Sequence, residues 1–144
     1  MDLELSKKQF DSTKESFLNI YALLIKRKAI TKENLDCIFK WGAQLDIPRE
    51  ELNFILNNPD SIEFDRPKTK IEAVEQIYDL VYMIYLDGLV EDIELEVAMT
   101  YAEKLGFQRG IVGDLLKAID SAPGDGIPRE KVKEELKELL ESSL

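Results

Sequence analysis

Apolar residues recur three and four positions apart along almost the whole chain, as in Phe17, Ile20, Tyr21, Leu24 and again in Ile77, Leu80, Val81, Ile84, while stretches alternating at period two are scarce. That pattern predicts an all-α protein. Four segments share the lettering of a helix start: Ile30-Thr-Lys-Glu-Asn-Leu35, Ile47-Pro-Arg-Glu-Glu-Leu52, Val90-Glu-Asp-Ile-Glu-Leu95 and Ile127-Pro-Arg-Glu-Lys-Val132. Pro48 and Pro128 suit a first turn that has no use for their missing N–H, and acidic residues there meet the positive end of the helix dipole. The apolar residue ahead of each turn is placed to staple against one inside it. Together these signals predict about seven helices, over residues 5–28, 31–45, 48–56, 68–86, 91–105, 108–120 and 128–141, with a linker rich in Asn, Asp and Pro over 57–67.

Sliding residues 77–116 over residues 17–56, an offset of 60, brings the apolar positions into step without a gap. Ile20 meets Leu80, Leu24 meets Ile84, Ile30 meets Val90, Trp41 meets Tyr101 and Leu45 meets Leu105. The expectation is a single compact domain over 1–144, built from two helical triplets about a pseudo-twofold axis, because neither triplet alone closes a core. The C-terminal stretch 128–141 is expected to lay Val132, Leu136, Leu139 and Leu140 on that core.

Composition narrows the function. At 144 residues the chain has the length of one ordinary domain. Its 29 acidic against 19 basic residues, a net charge of −10, repel phosphate backbones and argue against nucleic acid as a partner. The basic runs at Lys26-Arg27-Lys28 and Arg66-Pro67-Lys68-Thr69-Lys70 fall at a helix end and in the linker, where cations are ordinary. The glutamate-rich C-terminal stretch does not favour anionic lipid. One cysteine, Cys37, and no apolar run at the start of the chain point to a reducing, cytoplasmic setting with no membrane span. Cys37 itself lies on the apolar side of its helix with Leu35, Ile38, Phe39 and Trp41, and reads as a buried small residue. With no histidine anywhere, Ser-His and Cys-His catalysis are excluded, and no glycine-rich phosphate loop is present. The expectation is a protein that is not an enzyme.

Chemistry concentrates in one place. Tyr85-Leu86-Asp87-Gly88-Leu89-Val90-Glu91-Asp92-Ile93-Glu94-Leu95-Glu96 gathers five carboxylates around a glycine at the junction of two predicted helices. Asp87 closes one helix, Gly88 permits a tight turn, and Glu94 lies far enough into the next helix for its carboxylate to converge with that of Asp87. Glu91 and Glu94, three apart, are neighbours on the helix surface. Hard cations of the calcium or magnesium class take several oxygens, which such a turn can supply. An EF-hand is excluded, because with Gly88 at the sixth loop position Met83 and Tyr85 stand where the first and third oxygen ligands belong. Two readings remain open for Asp87, Glu91, Asp92 and Glu94: a divalent-cation site, or an Asp-Gly turn followed by a helix start that favours acidic residues.

The run Ile77-Tyr-Asp-Leu-Val-Tyr-Met-Ile-Tyr-Leu-Asp87-Gly88-Leu-Val90-Glu-Asp-Ile-Glu94-Leu95, followed by Ala102-Glu-Lys-Leu105-Gly106-Phe107, resembles the TerB-like tellurite-resistance family. Its hallmark is an apolar helix, then Asp-Gly-x-apolar-x-x-x-Glu, then a helix closing on Leu-Gly-apolar. The resemblance implies an all-helical fold with internal pseudo-symmetry, a place in bacterial stress response or as an accessory domain, no catalysis, and divalent-metal binding at the acidic motif, which Asp87 and Glu94 match here. In the first half Arg27, Lys28 and Asn34 stand where Asp87, Gly88 and Glu94 stand in the second, so the implied site is one-sided. The competing expectation is a metal-free module that binds a protein partner, with Phe64 and the C-terminal apolar set as contact surfaces.

Overall fold

The structure, a computed structural model, describes residues 6–26 and 30–121, together with Glu134 and Glu138. Among these residues the fold is all-α, with helices α1 (Lys7–Ile25), α2 (Lys32–Gln44), α3 (Arg49–Asn57), α4 (Lys70–Leu86), α5 (Asp92–Lys104) and α6 (Ile111–Ser121), and a short 3₁₀ turn at Pro59–Ser61. The seventh predicted helix, 128–141, lies outside the described residues except for Glu134 and Glu138, both helical and exposed.

Local chemistry sets most of the boundaries. Ser6 caps α1 by accepting from the Gln9 amide, while the Gln9 side chain accepts from the Ser6 N–H, which satisfies two otherwise unpaired donors. Thr31 caps α2 and Thr69 caps α4 through their hydroxyls. Pro48 stands one residue outside α3, and its carbonyl accepts from Glu51 and Leu52. The start of α6 falls at Ile111 rather than Gln108, since Gln108 to Gly110 form a preceding turn and glycine is a poor helix former.

The core runs along α4, where every residue from Ala73 to Ile84 except Glu75 is buried. A helix apolar on one stripe faces one neighbour, whereas this one is enclosed on all sides. It packs along α1 and against α5 and α6, while α2 packs on α1, α3 and α5. The linker is more firmly held than its composition suggests. The Asn19 side chain donates to Asp65 O and accepts from Asp65 N, both at 2.9 Å, so it reads the linker backbone like a strand partner. Phe64, named above as a contact surface, packs half-buried against the core with the Lys104 ammonium 5.6 Å from its ring.

The turns after α2 and α5 have the same construction. Ile47 N–H donates to Gly42 O at 2.8 Å and Phe107 N–H to Ala102 O at 2.9 Å, and each turn carries one residue at positive φ, Asp46 at 56° and Gly106 at 99°. Left-handed backbone costs a side-chain-bearing residue roughly 1–2 kcal/mol, and Asp tolerates it better than most. Gly106→Ala is therefore expected to destabilise the protein by about 1–2 kcal/mol, and Asp46→Gly to be neutral or slightly stabilising, as read from urea unfolding curves. Equal losses from both substitutions would contradict this account of the turns.

Candidate functional site

The acidic turn begins where α4 ends. Asp87 caps the helix, the Gly88 N–H donates to Tyr85 O, and Gly88 adopts φ 77°, a conformation that disfavours any side chain. The chain re-enters a helix at Asp92, with the Glu94 side chain reaching back to accept from the Glu91 N–H at 3.2 Å. This local geometry aims Asp87, Glu91 and Glu94 across the gap to α2.

What they meet there is Lys40. Its ammonium lies 2.8 Å from Asp87 Oδ2, 3.1 Å from Glu91 Oε1 and 2.8 Å from Glu94 Oε1, with Leu89 O at 3.4 Å. An ammonium has three protons, and three short contacts use them all. The neighbouring residue on α2 completes the arrangement, since Trp41 Nε1–H donates to Glu94 Oε2 at 2.7 Å. Glu94 and Trp41 are both 0% exposed, and both carboxylate oxygens of Glu94 accept hydrogen bonds. A fully buried carboxylate without such partners would cost several kcal/mol, roughly the penalty of an uncompensated buried ion. The node therefore ties α2 to α5 and fixes the turn between α4 and α5.

Electrostatics follow the geometry. Burial pulls the Lys40 ammonium down, but its hydrogen bonds to Asp87, Glu94 and Glu91 outweigh that and hold its pKa above the usual lysine range. One turn earlier on α2, Cys37 is buried, and burial together with the Glu94 charge pushes its thiol up to about 12, so it carries no thiolate near neutrality. Glu33, Asp36, Cys37, Lys40, Glu91, Ile93 and Glu94 line a recess of about 140 Å³, too small for more than a few waters.

Of the four residues predicted from sequence, the structure brings Asp87, Glu91 and Glu94 together and leaves Asp92 exposed on the first turn of α5, outside the node. Those three carboxylates converge on an ammonium. A divalent ion in the same place would need the positions that Lys40 Nζ fills, and among the described residues no group of three or more His, Cys, Asp or Glu is arranged to hold a metal. The donor set therefore does not fit a resident divalent cation in this arrangement. Lys40 and the polar role of Trp41 were not identified from sequence. Trp41 reads as core, and nothing local links position 40 to positions 87–94, about fifty residues away.

Comparison with protein families, with curated proteins and with solved structures finds no match for the chain. No helix among the described residues is long and apolar enough to cross a membrane.

Removing one member of a buried charge pair strands the other, so Lys40→Met is expected to lower unfolding stability by about 2–3 kcal/mol, a value discounted for the node's partly exposed edge. Adding Glu94→Gln to that variant should recover about 1 kcal/mol or more, because it removes the stranded charge. Trp41, the single tryptophan, lets emission follow both unfolding curves. The sign with pH follows from the raised pKa. Lys40's contribution is complete below the unfolded lysine value of about 10.4 and is lost as pH rises through the folded value. The gap between wild type and Lys40→Met should stay constant from about pH 7 to 9 and narrow above about 10.4. A gap that widens with alkalinity would refute the assignment of the ammonium.

Proposed function

We propose that this chain is a non-enzymatic, TerB-like helical module that acts through contacts with a protein partner, and that its acidic turn is held by Lys40 in place of a divalent cation. The observation that carries the reading is the saturation of the Lys40 ammonium by Asp87, Glu91 and Glu94. The setting is that of the family it resembles, a cytoplasmic bacterial stress-response or tellurite-resistance system.

Support for two related halves comes from the offset of 60, which carries α2 (Lys32–Gln44) onto α5 (Asp92–Lys104), both of 13 residues, and carries the Asp46 turn onto the Gly106 turn. Trp41 and Tyr101, equivalent under that offset, are both buried and both bond through their polar tip, Trp41 to Glu94 and Tyr101 to Gln76 at 2.6 Å. Support for a non-catalytic role comes from the site itself. The buried carboxylate is spent on structure, and the one thiol is buried and held protonated. Nothing at the node offers an activated nucleophile with a base beside it.

The test is a thermal unfolding scan of chelator-treated protein with calcium, magnesium, manganese and zinc. A ligand that binds only the native state raises the melting temperature. Wild type is expected to show no cation-specific rise, whereas Lys40→Ala, which frees the three carboxylates, should gain one. A rise in wild type that disappears in Glu94→Ala would restore the metal-binding reading and defeat this one.

A further inference from the structure

Between the end of α4, the acidic turn and α6 runs an open groove of about 540 Å³, its wall including Leu86, Gly88, Val90, Leu116 and Lys117. Helix α6 buries Ile111, Val112, Leu115 and Ile119 on its inner side. Its other side turns the half-buried Leu116 and the exposed Lys117 and Asp120 to the groove. Leu89 stands exposed in the same turn, beside the lining residues Gly88 and Val90.

We propose that this groove is the seat of the chain's own C-terminal segment, residues 128–141, bound as an amphipathic helix within the same molecule. Four observations select this occupant. The first is position. The described part of α6 runs to Ser121, one residue after the groove-lining Asp120, so the chain leaves the described residues at the groove's edge. The second is reach. Ser121-Ala-Pro-Gly-Asp-Gly126 has the composition of a turn, and the seven steps from Ser121 to Pro128 span up to roughly 23 Å when extended, more than the 10–12 Å width of a helix.

The third observation is the pattern of faces. Glu134 and Glu138, four apart, are helical and exposed. At 100° per residue they mark one side of a helix, and Val132, Leu136, Leu139 and Leu140 fall on the side opposite. The segment thus has one apolar stripe to bury, and the groove adjoining its point of departure is apolar along Leu86, Val90 and Leu116. The fourth is charge. Lys117 and Asp120 both stand at the groove, and the segment carries both signs as well, glutamates at 130, 134, 135, 138 and 141 among Arg129, Lys131, Lys133 and Lys137. Opposite charges can therefore pair along the flanks of the seated stripe.

Hydrogen–deuterium exchange of the intact chain reads this directly. In wild type at low micromolar concentration, amides of residues 130–141 are expected to exchange at least about tenfold more slowly than an unstructured chain. Leu116→Asp should abolish that protection while amides of α1 and α4 keep theirs. Exchange at unstructured rates in wild type would overturn the proposal and leave the groove to a separate partner. So would protection that Leu116→Asp leaves intact, or protection lost on dilution together with a dimer in sedimentation, which would assign the groove to a second copy. Should Leu116→Asp fail to fold, a cysteine trap in a Cys37→Ala background decides the matter, since Lys117 is exposed. Lys117→Cys with Leu136→Cys is expected to form a disulfide within the monomer on mild oxidation, and Lys117→Cys with Glu138→Cys is not. No monomeric disulfide from the first pair, or equal yields from both, would sink the idea.

Discussion

The structure depends on what neutralises Glu94. Its carboxylate is wholly enclosed between α2 and α5, where an unpaired charge is not tolerated, and the surrounding architecture supplies three donors at once: an ammonium, an indole and a backbone N–H. Each donor comes from a place the fold must hold. Lys40 and Trp41 are adjacent on α2, so meeting both oxygens fixes the rotation of α2 about its axis as well as its distance from α5. The Glu91 N–H fixes the start of α5. Asp87 and Glu91 bind the same ammonium from the turn, so the geometry of the α4–α5 connection is coupled to α2, an element far away in sequence. One buried charge thereby specifies the mutual placement of three helices, a task that apolar packing, with its tolerance of rotation, performs less sharply.

A second polar chain performs a similar task nearer the start of α4, at Gln76. Asn19 on α1 donates to the Tyr101 hydroxyl on α5 at 3.0 Å, and that hydroxyl donates to Gln76 on α4, while Asn19 also holds the linker backbone at Asp65. Burial pushes the Tyr101 hydroxyl up to about 12, so it stays a donor through the neutral range. This chain carries no formal charge. The two networks place aromatic residues with polar tips on α2 and α5, and differ in what those tips meet: an anion that requires a cation nearby, or a neutral amide that requires nothing more. Gln76 lies early in the enclosed α4 and Asp87 at its end, so the helix is registered at both by hydrogen bonds as well as by packing.

The amphipathic period, the helix start at Ile30-Thr31 and the Asp-Gly turn were legible in the sequence because each depends on residues within a few positions of one another, whereas Thr69, expected inside a helix over 68–86, is the cap of α4. The burial of Cys37 was legible for the same reason. The convergence of Asp87, Glu91 and Glu94 followed from helix geometry, but what they converge on did not. Lys40 sits between Phe39 and Trp41 on a helix whose apolar side was readable, and a lysine there looks like ordinary solvated charge. Only the pairing of α2 with α5 gives it a role, and that pairing is a tertiary fact. The signal that would have pointed to it is an imbalance: a helix start with more carboxylates than its dipole can use, one of them on the buried stripe beside Val97 and Ala98, calls for a cation from elsewhere. The half-burial of Phe64 was not legible either, because the residue that holds the neighbouring linker backbone, Asn19, lies 46 positions from Asp65.

A tethered ammonium and a bound divalent ion solve the same electrostatic problem with different consequences. A metal satisfies several carboxylates with two charges, binds with an affinity set by its free concentration, and can leave; a site built on it responds to supply. A lysine brings one charge and three directed donors on a stem already attached to the fold, so it is present whenever the chain is folded and does not depend on what the solution contains. The cost is that one charge against three carboxylates leaves the node net negative, which the partial exposure of Asp87 and Glu91 relieves by leaving those two in contact with water. Glu94, with no such access, takes the indole and the backbone amide as well. The division of labour within the node, one buried acid fully bonded and two rim acids half-solvated, is the arrangement that a single tethered charge can sustain, and it makes the acidic turn a fixed part of the scaffold.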